Sequence, residues 1–447
     1  MRSSLYLIAT VAVLTRPAAA QEPAVAITNV TVIPMDTERS MANQTVIVKG
    51  QRIAEMGPAS SIKTPAGARV IDGRGKFLLP GMAEMHGHIP PGGGATDANI
   101  SKVLAYYALN GVTFVRGMLG DPKHLPWRER ANKGEVLSPT IITTGPSLNG
   151  QTIPTVEVAI KTVTDQKNAG YDLMKIHPGI KRNVYDSMAA TARRLGIRFA
   201  GHVPLDVGIN DALAQGQWTI DHVDGYIEGL APAGSESQFF GFNLVAQADR
   251  SKLPALVAAT KKAGAWIVPT QSLFESMLGT RTADELAAMP EMKYWPAATV
   301  AQWKKITIDT RQGLGVTAET SQKYNELRRD IMQALYKGGV PFLLGSDAPQ
   351  FWNVPGFSLL REMEAMAKAG FTPYQILESG SRNAARYLNQ EKEFGTVAAG
   401  KRADLVLLNA NPLTNVSNWG NKAGVMIRGK YYSADEIQAK LQELNQQ

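Results

Sequence analysis

Apolar and polar positions follow two rhythms along this chain. From Val25 to about Lys76, the stretches AITNVTVIP, TVIVKGQRIAEMG and ARVIDGRGKFLLP alternate β-branched and polar residues and are cut by Gly, Asn and Asp. That is the pattern of short antiparallel strands joined by turns. The far end repeats it in TVAAGKRADLVLLNANPL, near 396–413, and AGVMIRGKYY, near 423–432. The two ends are therefore expected to pair as one small β-sandwich domain, residues 21–76 plus 395–435.

Between them, over residues 77–394, short apolar runs alternate with amphipathic ones. Strands are predicted near 78–85, 113–118, 140–145, 172–176, 198–203, 219–223, 265–270 and 341–346. Helical patterns fill the gaps, among them NISKVLAYYALNG, VYDSMAATARRLG and LPALVAATKKAG, several stopped by a C-terminal Gly. Strand-then-helix units in that number predict an α/β fold, a (β/α)8 TIM barrel rather than an open sheet. Two longer connections, 224–250 and 271–324, follow predicted strands and are expected at the face that carries chemistry in such barrels.

Composition narrows the classes. Hydrophobic residues make up 44% and charged residues 19%, values of an ordinary globular protein. The formal net charge of +8 is not gathered into a long basic run, so a solvated basic surface is expected and a nucleic-acid partner is not. The N-terminal MRSSLYLIATVAVLTRPAAA has an early Arg2, an apolar run from Leu5 to Leu14 and small residues at Ala18, Ala19 and Ala20. This is the layout of a cleavable signal peptide over 1–20, which predicts an exported protein, periplasmic or secreted. No later segment has eighteen uninterrupted apolar residues, so no membrane association is expected after cleavage. The chain has no cysteine, which leaves only nitrogen and oxygen ligands for a metal. A homo-oligomer is compatible with all of this, but oligomeric state is not readable from the sequence.

The polar residues at predicted strand ends form a pattern. His86 and His88, in LLPGMAEMHGH, are one residue apart and can address one point from an extended strand. Lys175 lies in DLMKIH, His202 ends RFAGHV, His222 ends TIDHV, and Asp347 follows FLLGS. In a barrel the C-terminal strand ends converge on one mouth, so these six residues become neighbours. Four of the chain's six histidines belong to the set.

With LLPGMAEMHGH, MKIH, AGHV, IDHV, GSDA and the tail SRNAARYLN…GTVAAGKRADLVLLNANPL, the chain resembles the amidohydrolase superfamily, more closely its imidazolonepropionase-like and Xaa-Pro-dipeptidase-like branch. The resemblance implies that His86, His88 and Asp347 bind one divalent metal ion and His202 and His222 a second. Lys175, carrying a carbamate, would bridge them. Zn2+ suits this donor set best, with Mn2+, Co2+ and Fe2+ as alternatives. The implied reaction is attack of a metal-bridging hydroxide on an amide or peptide carbonyl, with Asp347 as general base and then acid. Glu84 departs from the pattern, which usually has Asp two residues before the first histidine.

Dipeptides or N-acyl amino acids are the expected substrates. His177 and Tyr226 are candidates to stabilise an oxyanion, and Arg182, or Lys181 beside it, is a candidate anchor for a substrate carboxylate. His124 is read as structural. Cyclic-amide opening or deamination, and lactone or organophosphate hydrolysis, are alternatives on the same residues. A non-catalytic metal-binding scaffold is the alternative from another class.

Overall fold

The computed structural model describes residues 23–446, and the expected leader, 1–20, lies outside them. The N-terminal part forms β1 (Val25–Val32), β2 (Met41–Lys49), β3 (Arg52–Pro58), β4 (Arg69–Asp72) and β5 (Phe77–Pro80). Seven short strands follow in the middle: β6 (Met82–Gly87), β7 (Val112–Gly117), β8 (Thr140–Thr143), β9 (Leu173–Ile176), β10 (Arg198–Gly201), β11 (Thr219–Asp221) and β12 (Trp266–Val268). The C-terminal part adds β13 (Leu405–Leu408), β14 (Lys422–Ile427) and β15 (Lys430–Ser433).

Both ends of the chain share one eight-stranded sheet, ordered β15-β14-β13-β5-β1-β2-β3, with β4 paired to β1. The period-2 pattern explains its two faces. Leu405 and Leu407 point into a core with Ile27, Val30, Val46 and Met426, private to this sheet. Their neighbours Val406 and Leu408 join the large core beneath the middle of the chain.

The apolar run expected as one strand over 78–85 divides. Phe77–Pro80 pairs antiparallel with β13, Leu79 opposite Val406, and Met82–Gly87 pairs in parallel with β7. Gly81 is the hinge between them, because a Cβ there would lie 2.1 Å from Thr113 Cγ2.

The middle is α/β. Strands β6, β7 and β8 are parallel, as are β9 to β12. Parallel bridges Thr144 to Leu173 and Leu148 to Ile176 join the two groups. The eighth predicted strand, 341–346, carries one parallel bridge, Phe342 to Ile267, and is otherwise irregular. Its ladder is interrupted because Leu344 N–H donates to Ser379 O, outside the sheet. It still touches both neighbours: Leu343 N donates to Ile267 O at 2.8 Å, and Met85 N to Leu344 O at 2.8 Å.

Helices lie between these strands. Arg182–Leu195 shows why: Val184, Tyr185, Met188, Ala189 and Ala192 recur at three- and four-residue spacing and are buried, and Gly196 ends the helix at φ 64°. The two long connections are built mainly of short helices, including Tyr226–Leu230 and Gln271–Met277, followed by the longer Ala297–Gly313.

Candidate metal centre

The strand ends bring the six expected residues together. His86 lies in β6 and His88 follows it; Lys175 lies in β9; His202 and His222 follow β10 and β11; Asp347 follows the irregular eighth stretch. All six are buried. His86 Nε2 is 3.0 Å from Lys175 Nζ and 3.6 Å from Asp347 Oδ1. His88 Nε2 is 2.5 Å from the same oxygen, and His222 Nδ1 is 3.7 Å from Asp347 Oδ2. The His202 and His222 rings stack with centroids 4.3 Å apart. One ligand atom from each of His86, His222 and Asp347 fits within a mutual distance of 4.8 Å, the spacing of a group able to hold a metal ion.

The ring nitrogens behave as metal donors require. Asp224 Oδ2 lies 2.6 Å from His202 Nδ1, Thr270 Oγ1 lies 2.8 Å from His222 Nδ1, and Asp221 Oδ2 lies 2.8 Å from His86 Nδ1. Asp224 and Thr270 can fix the proton on Nδ1 of His202 and His222 and leave Nε2 with its lone pair, the outer support common to metal-binding histidines, whereas Asp221 is close to His86 Nδ1 without a hydrogen bond to it. Nε2 of His222 and Nδ1 of His88 are buried without a hydrogen-bond partner. Buried polar atoms are rarely left so, and a cation would satisfy them. Burial holds His86 and His222 well below the usual imidazole range and brings His202 down to about 3, so the rings are neutral. Burial also lowers Lys175 to about 8, against the pull of Asp221 and Asp347. The residues therefore fit a metal centre.

The backbone is strained at this spot. His222, Val223, Thr270 and Asp347, none of them glycine, have φ of 65°, 56°, 45° and 65°. Backbone bonds hold two of them there, His222 N to Val268 O and Asp347 N to His86 O, both 2.8 Å.

Two expected substrate contacts are corrected. Tyr226 is fully buried and its hydroxyl bonds Thr260 Oγ1 at 2.7 Å, so its ring packs into the core beside the helix Leu253–Ala263. Arg182 starts a surface helix and forks between Asp186 and Asp211, and Lys181 pairs with Asp206 at 2.8 Å; local carboxylates have taken both cations. His177 does stay near the cluster, its ring 5.1 Å from His202 and largely buried, which pushes its pKa down. His124 is structural, with Nε2 2.9 Å from Pro90 O.

Several functional neighbours escaped sequence reasoning. Asp221 stands next to His222 in the IDHV stretch and Asp224 two residues after it, visible but without an assigned role. Arg116 is a charge inside the apolar run TFVRGM, and it lies buried, 3.2 Å from Asp221 Oδ2. Burial alone would raise Asp221, but Arg116 and Lys175 hold it below the usual range. Phe240 and Phe274, from the two long connections, wall a cavity of about 260 Å3 with His202, His222 and Asp347 at its base. No sequence pattern announced them.

A family model described as the amidohydrolase family matches residues 77–431. The imidazolonepropionase of Aeromonas hydrophila is 23% identical over 380 residues, covering 80% of this chain and 83% of that protein. The adenine deaminase of a Ruegeria species is 23% identical over 385 residues, 84% of this chain and 52% of that one. Among solved structures, a bottromycin amidohydrolase superposes with a TM-score of 0.70 at 20% identity, covering 94% of this chain and 89% of the other. A Xaa-Pro dipeptidase with methionine bound in its active site does so at 0.67 and 17%, covering 92% and 100%. The match of the family model over most of the chain and the buried His-His-Asp group agree: the chain belongs to the amidohydrolase family.

Proposed function

We propose that the chain is a binuclear metal-dependent hydrolase that cleaves an amide or peptide C–N bond. The observation that carries this is the gathering of His86, His88, Lys175, His202, His222 and Asp347, from four strand ends and the irregular stretch 341–346, in one buried cluster. On this reading the parallel segments β6 to β12 with 341–346 form a (β/α)8 barrel. The sheet of both chain ends, 21–76 plus 395–435, forms a β-sandwich domain beside it, and the leader directs export.

His86, His88 and Asp347 would hold one ion and His202 and His222 the other, with Zn2+ the best match to nitrogen and oxygen donors. Divalent ions bound there lower the pKa of a water molecule toward neutrality and polarise a scissile carbonyl. Lys175 as an ammonium has no lone pair to offer. Its uncharged amine can attack carbon dioxide, forming an N–C bond and releasing a proton, and the resulting carbamate presents two oxygens that share one negative charge. Asp347 takes the proton of the attacking water on its carboxylate and returns it to the leaving nitrogen. His177, neutral and close to His202, is the donor available to the developing oxyanion. Asp224 and Thr270 orient the His202 and His222 imidazoles, and the Asp221 carboxylate stands 2.8 Å from His86 Nδ1.

The test is metal content measured beside turnover on a panel of dipeptides and N-acyl amides, with and without a chelator. The reading expects amide hydrolysis that follows metal content and is lost with it. A protein that binds metal yet hydrolyses no amide would be a metal-binding scaffold instead.

A further inference from the structure

The cavity above the cluster differs in character from its floor. Its base is His202, His222 and Asp347; its walls are Phe239, Phe240, Phe274, Leu273, Met277 and Phe351. Among the described residues that line it, Gln350 is the one side-chain amide and Asp347 the one carboxylate. The aromatic wall reaches the catalytic floor directly, since the Phe240 ring lies over His202, centroids 5.8 Å apart and 30° between planes. Phe274 meets Phe240 edge to face at 5.2 Å, and Phe239 meets it at 5.4 Å. Phe239, Phe240 and Phe351 are only partly buried, so apolar ring surface lines the opening.

Among the described residues, Arg328, Lys181 and Arg182 are screened or already engaged. Arg328 sits behind Phe274, its guanidinium carbon 3.6 Å from the ring centroid, and it donates to Gln271 Oε1 and to Pro269 O. Lys181 and Arg182 are tied to Asp206, Asp186 and Asp211. Apart from the metal ions proposed at its floor, the described lining of this cavity offers a substrate carboxylate no cation in exchange for its lost hydration. A neutral ring would instead join an existing set of edge-to-face contacts. The size agrees, for a cavity of roughly 150 Å3 already admits a benzene ring, and this one is larger at about 260 Å3.

We infer that the substrate is an uncharged amide carrying an aromatic group beside the scissile bond, seated on Phe240 and Phe274, and that free dipeptides and N-acyl amino acids with an ionised carboxylate at this position are rejected. This rests on the amide-hydrolase reading, and Gln350 is the neutral polar partner available to the substrate. Phe240 and Phe274 are the specificity-determining residues.

Two measurements on the metal-loaded full chain separate this inference from the reading beneath it. The first compares kcat/KM for N-benzoylglycinamide and N-acetylphenylalaninamide with their carboxylate counterparts, N-benzoylglycine and N-acetylphenylalanine, and with ring-free N-acetylglycinamide. At least one neutral ring-bearing amide is expected to exceed both its carboxylate counterpart and the ring-free amide by about tenfold or more. The second is calorimetric binding of phenylacetamide against acetamide, in the parent and in Phe240→Ala and Phe274→Leu. The parent is expected to bind phenylacetamide more tightly, with either variant weakening it by about fivefold. Equal or faster turnover of the carboxylate substrates, with hydrolysis intact, would overturn the inference and leave the amide-hydrolase reading standing. Absence of all amide hydrolysis would overturn the amide-hydrolase reading and the substrate inference with it, and ring-selective binding that survived would then mark the cavity as a site for neutral aromatic ligands only. Should both variants fail to fold, the substrate comparison on the parent protein decides alone.

Discussion

Glu84, the residue that departs from the family pattern, has a structural role that its neighbours define. Its carboxylate accepts from Ser346 N at 2.8 Å, from Ser346 Oγ at 2.6 Å and from His86 N at 3.1 Å. It therefore ties the strand of the first histidines to the stretch that carries Asp347. Glu84→Ala would orphan buried donors, at a cost of about 1–3 kcal/mol for each. The expected outcome is a lowered Tm with reduced metal affinity, read by thermal melts with and without added Zn2+. Lys422, far from the centre, gives a prediction of a different kind. Burial lowers its pKa to about 8, and its ammonium lies 5.1 Å from the centroid of the Trp419 ring. A base whose folded pKa is depressed favours the fold most when neutral, so stability is fullest above the unfolded value of 10.5 and falls as pH drops through about 8. Lys422→Met should accordingly melt higher than the parent at pH 7, and the gap should narrow as pH is raised from about 8 toward 10.5. A gap independent of pH would contradict this. The six metal-ligand candidates were legible because each is a polar residue ending an apolar run, a one-dimensional signal. Tyr226 and Arg182 misled because position in a loop says nothing of side-chain direction: one turned into the core, the other to local carboxylates.

The helix Gln271–Met277 shows how a single element serves two surfaces. Its N-terminal Gln271 N and Ser272 N donate to the carboxylate of Glu362 at 2.9 and 2.7 Å. Leu273, Phe274 and Met277 face the cavity, and the residue before the helix, Thr270, supports His222. Unsatisfied N–H groups at a helix start destabilise it. Glu362→Ala is thus expected to raise KM more than it lowers kcat, because it loosens the apolar wall while leaving Asp347 in place; an effect confined to kcat would contradict that role. The sequence placed the connection after a strand, at the correct end of the molecule, yet its aromatic residues looked like any surface helix packing. The same limit applies at Gly81, where an apolar run continuous in sequence belongs to two sheets. Only the close approach of Thr113 reveals the break.

At the scale of the whole molecule, the pairing of both chain ends makes the terminal sheet a staple across the α/β part. Arg428, in the turn between β14 and β15, donates to Ser138 O at 2.8 Å and to Thr140 Oγ1 at 3.0 Å, joining the sheet to the start of β8. Alternating strand patterns at the two ends made this pairing readable, because two faces, two cores and a period of two leave few other solutions. The irregular eighth stretch was less readable, since its interruption depends on Ser379, distant in sequence. On the proposed function, Lys175 joins the other five residues in a two-metal centre. The most direct test is the metal content of Lys175→Ala after loading with Zn2+ in bicarbonate buffer, beside the parent chain. About two ions per chain are expected in the parent and loss of the second ion in the variant, with partial recovery of activity on addition of a small carboxylic acid. Unchanged two-metal occupancy in Lys175→Ala would contradict it.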